Sequence, residues 1–441
     1  MGKKNLGTAT AVTSMQEANS VIIEVGGSIR RIALENFREA INKGNQEFLL
    51  SSAWGIPLKQ NQSSPDWGIV GNKELFYSYA YGSKAGRYLV TSDGKAAKLS
   101  VYDSNVYADG TPLEESMGNV MAVFPDLYYR TQVDPVTHIT TLWMSPLPIS
   151  DLCIKHPVIG AYKGSMSGEK LVSRSGVTPA SNKTINEFWS AAQKNSTNWG
   201  ITSYEHRIFI QMLALSFCGA SGSANLKSRL NGLAGLNGTM GANARSITTG
   251  ATRHLGDGFL NINFNWQNDE GEAVVNACRI SICGIEDPIG WMSEFAQGIY
   301  CGSSNNPGQN GSEVFIYKGN RIPTSAELTS TPSGEYEEIT RLTDTILGQF
   351  IKQQVLEYHF FAMPSVVGED AGSNSYWCDQ YYTRPTGQVV LFGGNAGHNY
   401  GAGFAFMDMG NGFNYKSQNV SARLAYYGDL EIVDGKDIAR N

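Results

Sequence analysis

Charge is scarce in this chain. Lys, Arg, Asp and Glu make up 17% of its 441 residues, where about 25% is usual. The 34 basic and 40 acidic residues leave a formal charge of −6, a balance that argues against a polyanion binder. Cysteine is sparse too: six residues with no CxxC pair fit neither a zinc ribbon nor a disulfide scaffold. The start, Met1-Gly2-Lys3-Lys4-Asn5-Leu6 running into polar Thr and Ser, lacks the apolar stretch of a secretory signal. Leu6 stands where a myristoylation motif wants Ser or Thr. With no 18-residue apolar run, no membrane insertion is expected. Glycine, by contrast, is plentiful at 49 residues, about 11% against about 7% on average. Together with 41% hydrophobic residues, this describes a chain with a real core whose polar surface is mostly amide, hydroxyl and bare backbone. Coiled coils and long surface helices are disfavoured, and the length suits one large domain with a small one, or two to three medium domains.

Along the chain, Ser20 to Ile32 reads as two β-type runs around Gly26-Gly27, a hairpin. Leu34, Phe37 and Ile41 then recur at helical spacing up to Gly44, which predicts a short helix. A unit of about 48 residues buries too little apolar surface to be comfortable alone, and oligomerisation is the usual remedy. Residues 49–118 read as a β-rich collar, with a hairpin over 87–101 turning at Asp93-Gly94. Two helices come next, each behind an apparent capping box: Thr184-Ile-Asn-Glu187, then Thr202-Ser-Tyr-Glu205. Residues 219–265 and 302–335 are Gly-, Asn- and Ser-rich and read as loops, and strands with glycine-rich turns are expected beyond 340.

Catalytic patterns are mostly missing. Gly164-Ser-Met-Ser-Gly168 has Met166 where a nucleophile elbow needs serine, and Gly219-Ala-Ser-Gly-Ser223 lacks the closing glycine, so both read as turns. There is no HExxH, no P-loop and no metal-ligand spacing among the six histidines, so no metal or cofactor is expected. Glu205-His206 could suggest acid/base work, but Glu205 is better used as the capping partner of Thr202.

One segment stands out. Between Tyr376 and Val420, 45 residues hold ten aromatics, eight glycines and five asparagines, with only Asp379, Arg384, Asp408 and Lys416 charged. Tyrosine offers large amphipathic contact area at low entropy cost and asparagine offers adaptable hydrogen bonds, the chemistry of a recognition surface. Phe392, Phe404 and Phe406 lie in apolar runs and read as core. Tyr381, Tyr382, His398, Asn399, Tyr400, Asn414 and Tyr415 are flanked by turn residues and read as contacts.

The order of segments from about 119 to 428 resembles the C-type-lectin fold of the formylglycine-generating-enzyme type, as used by variable proteins of diversity-generating retroelements and by phage tail adhesins. The residues that carry it are Val120-Met-Ala-Val-Phe-Pro125, Leu142-Trp-Met-Ser-Pro146, Lys155-His156-Pro157 and Gly284 to Phe295. Towards the end they are Pro364-Ser-Val-Val-Gly368, Cys378-Asp379, Leu391-Phe-Gly-Gly394, Ala402-Gly403 and Asn419-Val-Ser-Ala-Arg-Leu424. Trp291 and Phe295 stand in altered slots, and Ala396 occupies one often held by tryptophan. The resemblance implies an α+β, C-type-lectin-like domain over 119–441 with a variable-type region at about 376–424. Its framework would include Arg423, whose several donors can lock loops. It further implies ligand contacts at Tyr381, Tyr382, Asn395, Ala396, His398, Asn399, Tyr400, Phe413, Asn414, Tyr415 and Gln418. The enzyme branch of that fold uses a pair of thiols, and this region offers Cys378 alone, so no enzyme is expected.

Residues 1–48, with Gly7-Thr-Ala-Thr-Ala-Val-Thr-Ser14 ahead of the hairpin, look like the attachment segment of phage tail proteins. Both resemblances together imply a receptor-binding tail protein, made in the host cytoplasm and carried in the virion. Its expected partners are a bacterial surface glycan or protein and the tail or baseplate proteins, and it would be a homotrimer by analogy. Alternatives are a structural tail protein without a receptor and, further off, an oxidising enzyme.

Overall fold

The computed structural model describes residues 20–25, 28–33, 47–58, 68–134, 136–220, 247–256, 260–263, 278–302, 312–318, 323, 327, 335–342, 349–355, 363–368, 379–384 and 388–439. The architecture is α+β, rich in sheet and with few helices. The N-terminal hairpin forms as its residues predict: Ser20–Val25 pairs antiparallel with Ser28–Ala33, closing at Val25 opposite Ser28. The helix expected over 34–44 lies outside the described residues.

Two seven-stranded sheets organise the rest. The first runs, in spatial order, Trp199–Ile201, Leu424–Tyr426, Val158–Gly160, Asn119–Val123, Gly86–Val90, Lys95–Lys98 and Glu431–Val433. Its inner hairpin turns at Asp93-Gly94, where Gly94 has φ +93°. A Cβ there would stand 2.2 Å from the Tyr426 hydroxyl, so the turn suits only glycine. The second sheet runs Met363–Gly368, Gln349–Val355, Gln380–Thr383, Met407–Asn411, Val389–Phe392, Ser293–Phe295 and Val420–Ala422. A five-stranded sheet around Trp54–Leu58, Leu127–Val133 and Thr140–Ser145 packs on the main core.

These pairings correct the expected collar. Gly86–Val90 pairs with Asn119–Val123, Trp54–Leu58 pairs with Thr140–Ser145, and Glu431–Val433 near the C-terminus pairs with Lys95–Lys98. Residues 49–118 therefore supply strands to the same sheets as the rest of the chain, and position 118/119 separates nothing. That segment also holds a helix that no sequence signal had marked, α1 (Lys73–Tyr81), whose start is capped by Asn72 Oδ1 accepting from the Leu75 N–H at 3.1 Å. The expected loop over 302–335 likewise contains a strand, Ser312–Tyr317, paired on both sides.

Helix α2 (Ile185–Gln193) begins with the predicted capping box: Thr184 Oγ1 accepts from the Glu187 N–H at 3.2 Å and the Glu187 carboxylate accepts from the Thr184 N–H at 2.7 Å. It seats Ile185, Phe188 and Ala192 against the first sheet. Helix α3 (Tyr204–Ala220) starts one residue later than its expected box. Ser203 Oγ accepts from the His206 N–H at 3.3 Å and His206 Nδ1 accepts from the Ser203 N–H at 3.2 Å. Histidine thus does what Glu205 was expected to do, and Glu205 stays exposed. Down its length α3 buries Phe209, Met212, Leu213 and Leu215 in the main core.

Candidate binding face and its frame

The last part of the chain ties the two sheets together. Val420–Ala422 lies parallel to Ser293–Phe295 in the second sheet, and two residues later Leu424–Tyr426 enters the first. Arg423, fully buried at the crossing, donates to the carbonyls of Gly160 (2.9 Å), Ala161 (3.2 Å), Glu286 (2.8 Å) and Asp287 (3.3 Å), and to Glu294 (2.9 Å). This is the loop-locking role expected of it. Glu294, equally buried, also receives Lys163 Nζ at 2.6 Å and the Arg207 guanidinium. Burial pushes the Glu294 carboxyl up, but the Arg207, Arg423 and Lys163 charges overcome it and hold the group well below the usual carboxylate range. For Lys163 burial wins, and the ammonium is pushed down to about 8 despite its partner. A second buried cluster joins Arg279 to Glu286 (2.8 Å) and Asp287 (2.5 Å), with the guanidinium 4.5 Å over the Trp291 ring.

Between the clusters the backbone is strained. Cys283, Asp287 and Trp291 take φ of +47°, +43° and +57°, conformations that non-glycine residues adopt only where the surroundings impose them. The strained run braces the candidate segment directly. Gly290 N–H donates to the Gly393 carbonyl at 3.0 Å, and Ala396 N–H donates to the Trp291 carbonyl at 3.1 Å. Gly394, at φ +70°, lies so close to the Ala402 position that an added Cβ would meet the Ala402 Cβ at 2.7 Å. The Gly-Gly and Ala-Gly elements recognised in the sequence thus touch each other.

On this frame the expected contact residues fall into three fates. Tyr381 and Ala396, 1% and 3% exposed, are core residues, a correction to the expected set. Alternation along Gln380–Thr383 turns Tyr381 inward and leaves Tyr382 half-buried on the outer face. For Asn399 and Tyr400 the side chains lie outside the described residues, as does Cys378. The remaining seven reach the surface as two groups rather than one.

The first group is Tyr382, Asn395 and His398. The His398 ring lies tilted against Phe406 with centroids 4.6 Å apart and stands 5.9 Å from Tyr382, whose hydroxyl donates to Gln380 Oε1 at 3.0 Å. His398 Nδ1 accepts from the Asn395 N–H at 2.9 Å, which fixes the tautomer and places the ring proton on Nε2. Burial pushes the imidazole down to about 4, so at neutral pH this group is uncharged. The second group is Phe413, Asn414, Tyr415 and Gln418. Phe413 and Tyr415 rest against the α2 core cluster, while Asn414 and Gln418 are exposed. The Phe413 N–H donates to Gln388 Oε1 at 2.7 Å.

Register explains the separation. Phe392 pairs with Met407 and Val389 with Asn411. The 393–406 connection therefore leaves one end of this strand pair and 412–419 leaves the other, about 10 Å away at about 3.3 Å per residue. Each group combines aromatic surface with amide or imidazole hydrogen bonding and neither carries a dense charge. Among the described residues no group of His, Cys, Asp and Glu is arranged to hold a metal ion. Of the described free thiols, Cys283 and Cys301 are buried and Cys153 is half-buried.

No family model matches the chain, and no curated protein is similar to it.

Proposed function

We propose that the protein is a phage tail adhesin with a C-type-lectin-like head that binds a bacterial surface molecule, non-covalently, through Tyr382, Asn395, His398, Phe413, Asn414, Tyr415 and Gln418. One observation carries this reading. Two short surface segments bearing aromatic, amide and imidazole groups are anchored from beneath, the first by the Ala396 N–H to Trp291 carbonyl bond and the Gly394–Ala402 contact, the second by the Phe413 N–H to Gln388 bond. A rigid frame under solvent-facing aromatic and amide tips is what low-entropy recognition requires. In this reading residues 1–48 dock on the tail, the protein is a homotrimer carried in the virion, and the 376–424 region is of the kind retroelements diversify. Several heads on one particle would raise avidity by roughly 10²–10⁴ over one site.

The test is adsorption. Full-length protein with alanine at Tyr382, Asn414 and Gln418 should lose binding to host bacteria while melting within a few degrees of the parent. Undiminished adsorption would remove the face from the reading, and an unmodified protein that binds no host cell would remove the receptor altogether.

A further inference from the structure

A large concavity among the described residues lies away from the C-terminal segment. It is a cleft of about 1760 Å³ between one face of α2, the start of α3, the turn at 153–156, the strand end at 316–318 and the run 426–432. Drug-sized sites occupy about 300–1,000 Å³, so the cleft suits an extended ligand.

Its lining includes aromatic rings beside uncharged amides. Trp189 and Gln193 sit one helical turn apart on α2 and share a face. Tyr427 closes the adjoining wall with 36% of its surface open, its hydroxyl donating to the Ile201 carbonyl at 2.6 Å, and the exposed Asn198 stands beside it. Glu205, left exposed because His206 took over the helix cap, projects from the start of α3 into the same cleft. Charged lining residues balance: Lys84, Lys155 and Lys318 against Asp126, Glu205 and Asp429. Of these, Lys155 is already paired with Asp126 at 2.9 Å, and His156 contacts the same carboxylate at 2.8 Å. No net field selects a charged polymer.

We propose that this cleft is a second binding site, separate from the 382–418 groups, and that it takes a neutral oligosaccharide chain. A pyranose presents C–H faces that lie against aromatic rings and an edge of hydroxyls that needs paired donors and acceptors. The rings of Trp189 and Tyr427 supply the first at small entropic cost; Asn198, the Glu205 carboxyl and the Gln193 Oε1, whose amide nitrogen is already bonded to the Thr197 and Trp199 carbonyls, supply the second.

Isothermal titration of the full-length protein with maltohexaose, cellohexaose and chitohexaose, and with hexagalacturonate as the acidic counterpart, tests this. At least one neutral hexamer should bind. Its affinity should fall about tenfold or more in Trp189→Ala and fall again in Glu205→Ala, which changes an exposed residue and keeps the fold. Tyr382→Ala should leave it unchanged, which separates this site from the adsorption face. The proposal is overturned if no neutral hexamer binds, if neither cleft variant weakens binding, or if the acidic hexamer binds more tightly.

Discussion

Arg423 shows how much a single buried side chain can organise. Its guanidinium reaches four carbonyls from two separate segments and a carboxylate that two further cations share. Because three cations converge on one buried carboxylate, removing that shared anion is the damaging change. Glu294→Gln should cost about 3–5 kcal/mol in urea unfolding, since it leaves three buried cations without their counter-charge. His206 makes a different prediction. Its pKa is pushed by burial from 6.5 down to about 3. Below pH 6.5 the unfolded chain takes up a proton that the folded chain refuses, so this contribution to stability is fully present above the unfolded value and declines as the pH falls through the window. The slope is at most ~1.4 kcal/mol per pH unit for one site. His206→Gln keeps a capping acceptor without titrating, and urea midpoints compared at about pH 4.5 and pH 7 should show a flatter profile than the parent.

Among the elements, the start of α3 separates what residue pattern foretells from what packing selects. Thr202-Ser-Tyr-Glu205 satisfies the capping-box pattern, yet the cap is Ser203 with His206. Thr202 N–H is drawn to the Arg423 carbonyl at 2.9 Å, its hydroxyl is buried without a partner, and the residue belongs to the sheet side of the junction. Ser203→Ala should therefore cost about 1 kcal/mol, whereas Thr202→Val, which removes an unsatisfied hydroxyl, should be neutral or stabilising. Thermal melts of the two variants side by side decide between the two caps. A parallel case is Gly394, where alanine would meet both an unfavourable φ of +70° and the Ala402 side chain. Gly394→Ala should destabilise by more than about 1 kcal/mol, and it should weaken cell adsorption more than its stability loss alone explains if the 395–398 turn is part of the binding face.

At the scale of the whole molecule, local signals were legible and long-range ones were not. The N-terminal hairpin, the Asp93-Gly94 turn, the Thr184 cap and the framework role of Arg423 could be read from residues because each depends on neighbours in sequence or on an unmistakable side-chain chemistry. The collar could not: Trp54–Leu58 and Gly86–Val90 look like an independent β unit until their pairings with Thr140–Ser145 and Asn119–Val123 are known. The contact residues divide the same way. Composition located a surface rich in tyrosine and asparagine, but strand alternation buried Tyr381 beside an outward Tyr382, and register divided the rest between two ends of one strand pair. The scarcity of charge excluded polyanion partners, and the structure adds that some of the charge is buried, in the Glu294 and Arg279 clusters. Composition and local pattern determined the class of chain, its turns and the Thr184 cap, since these depend on backbone preferences of single residues. Which tyrosines face solvent, which acid holds the sheets together and where the cleft opens were decided only by tertiary pairing, because burial and charge satisfaction depend on residues more than a hundred positions apart, such as Arg423 and Glu294.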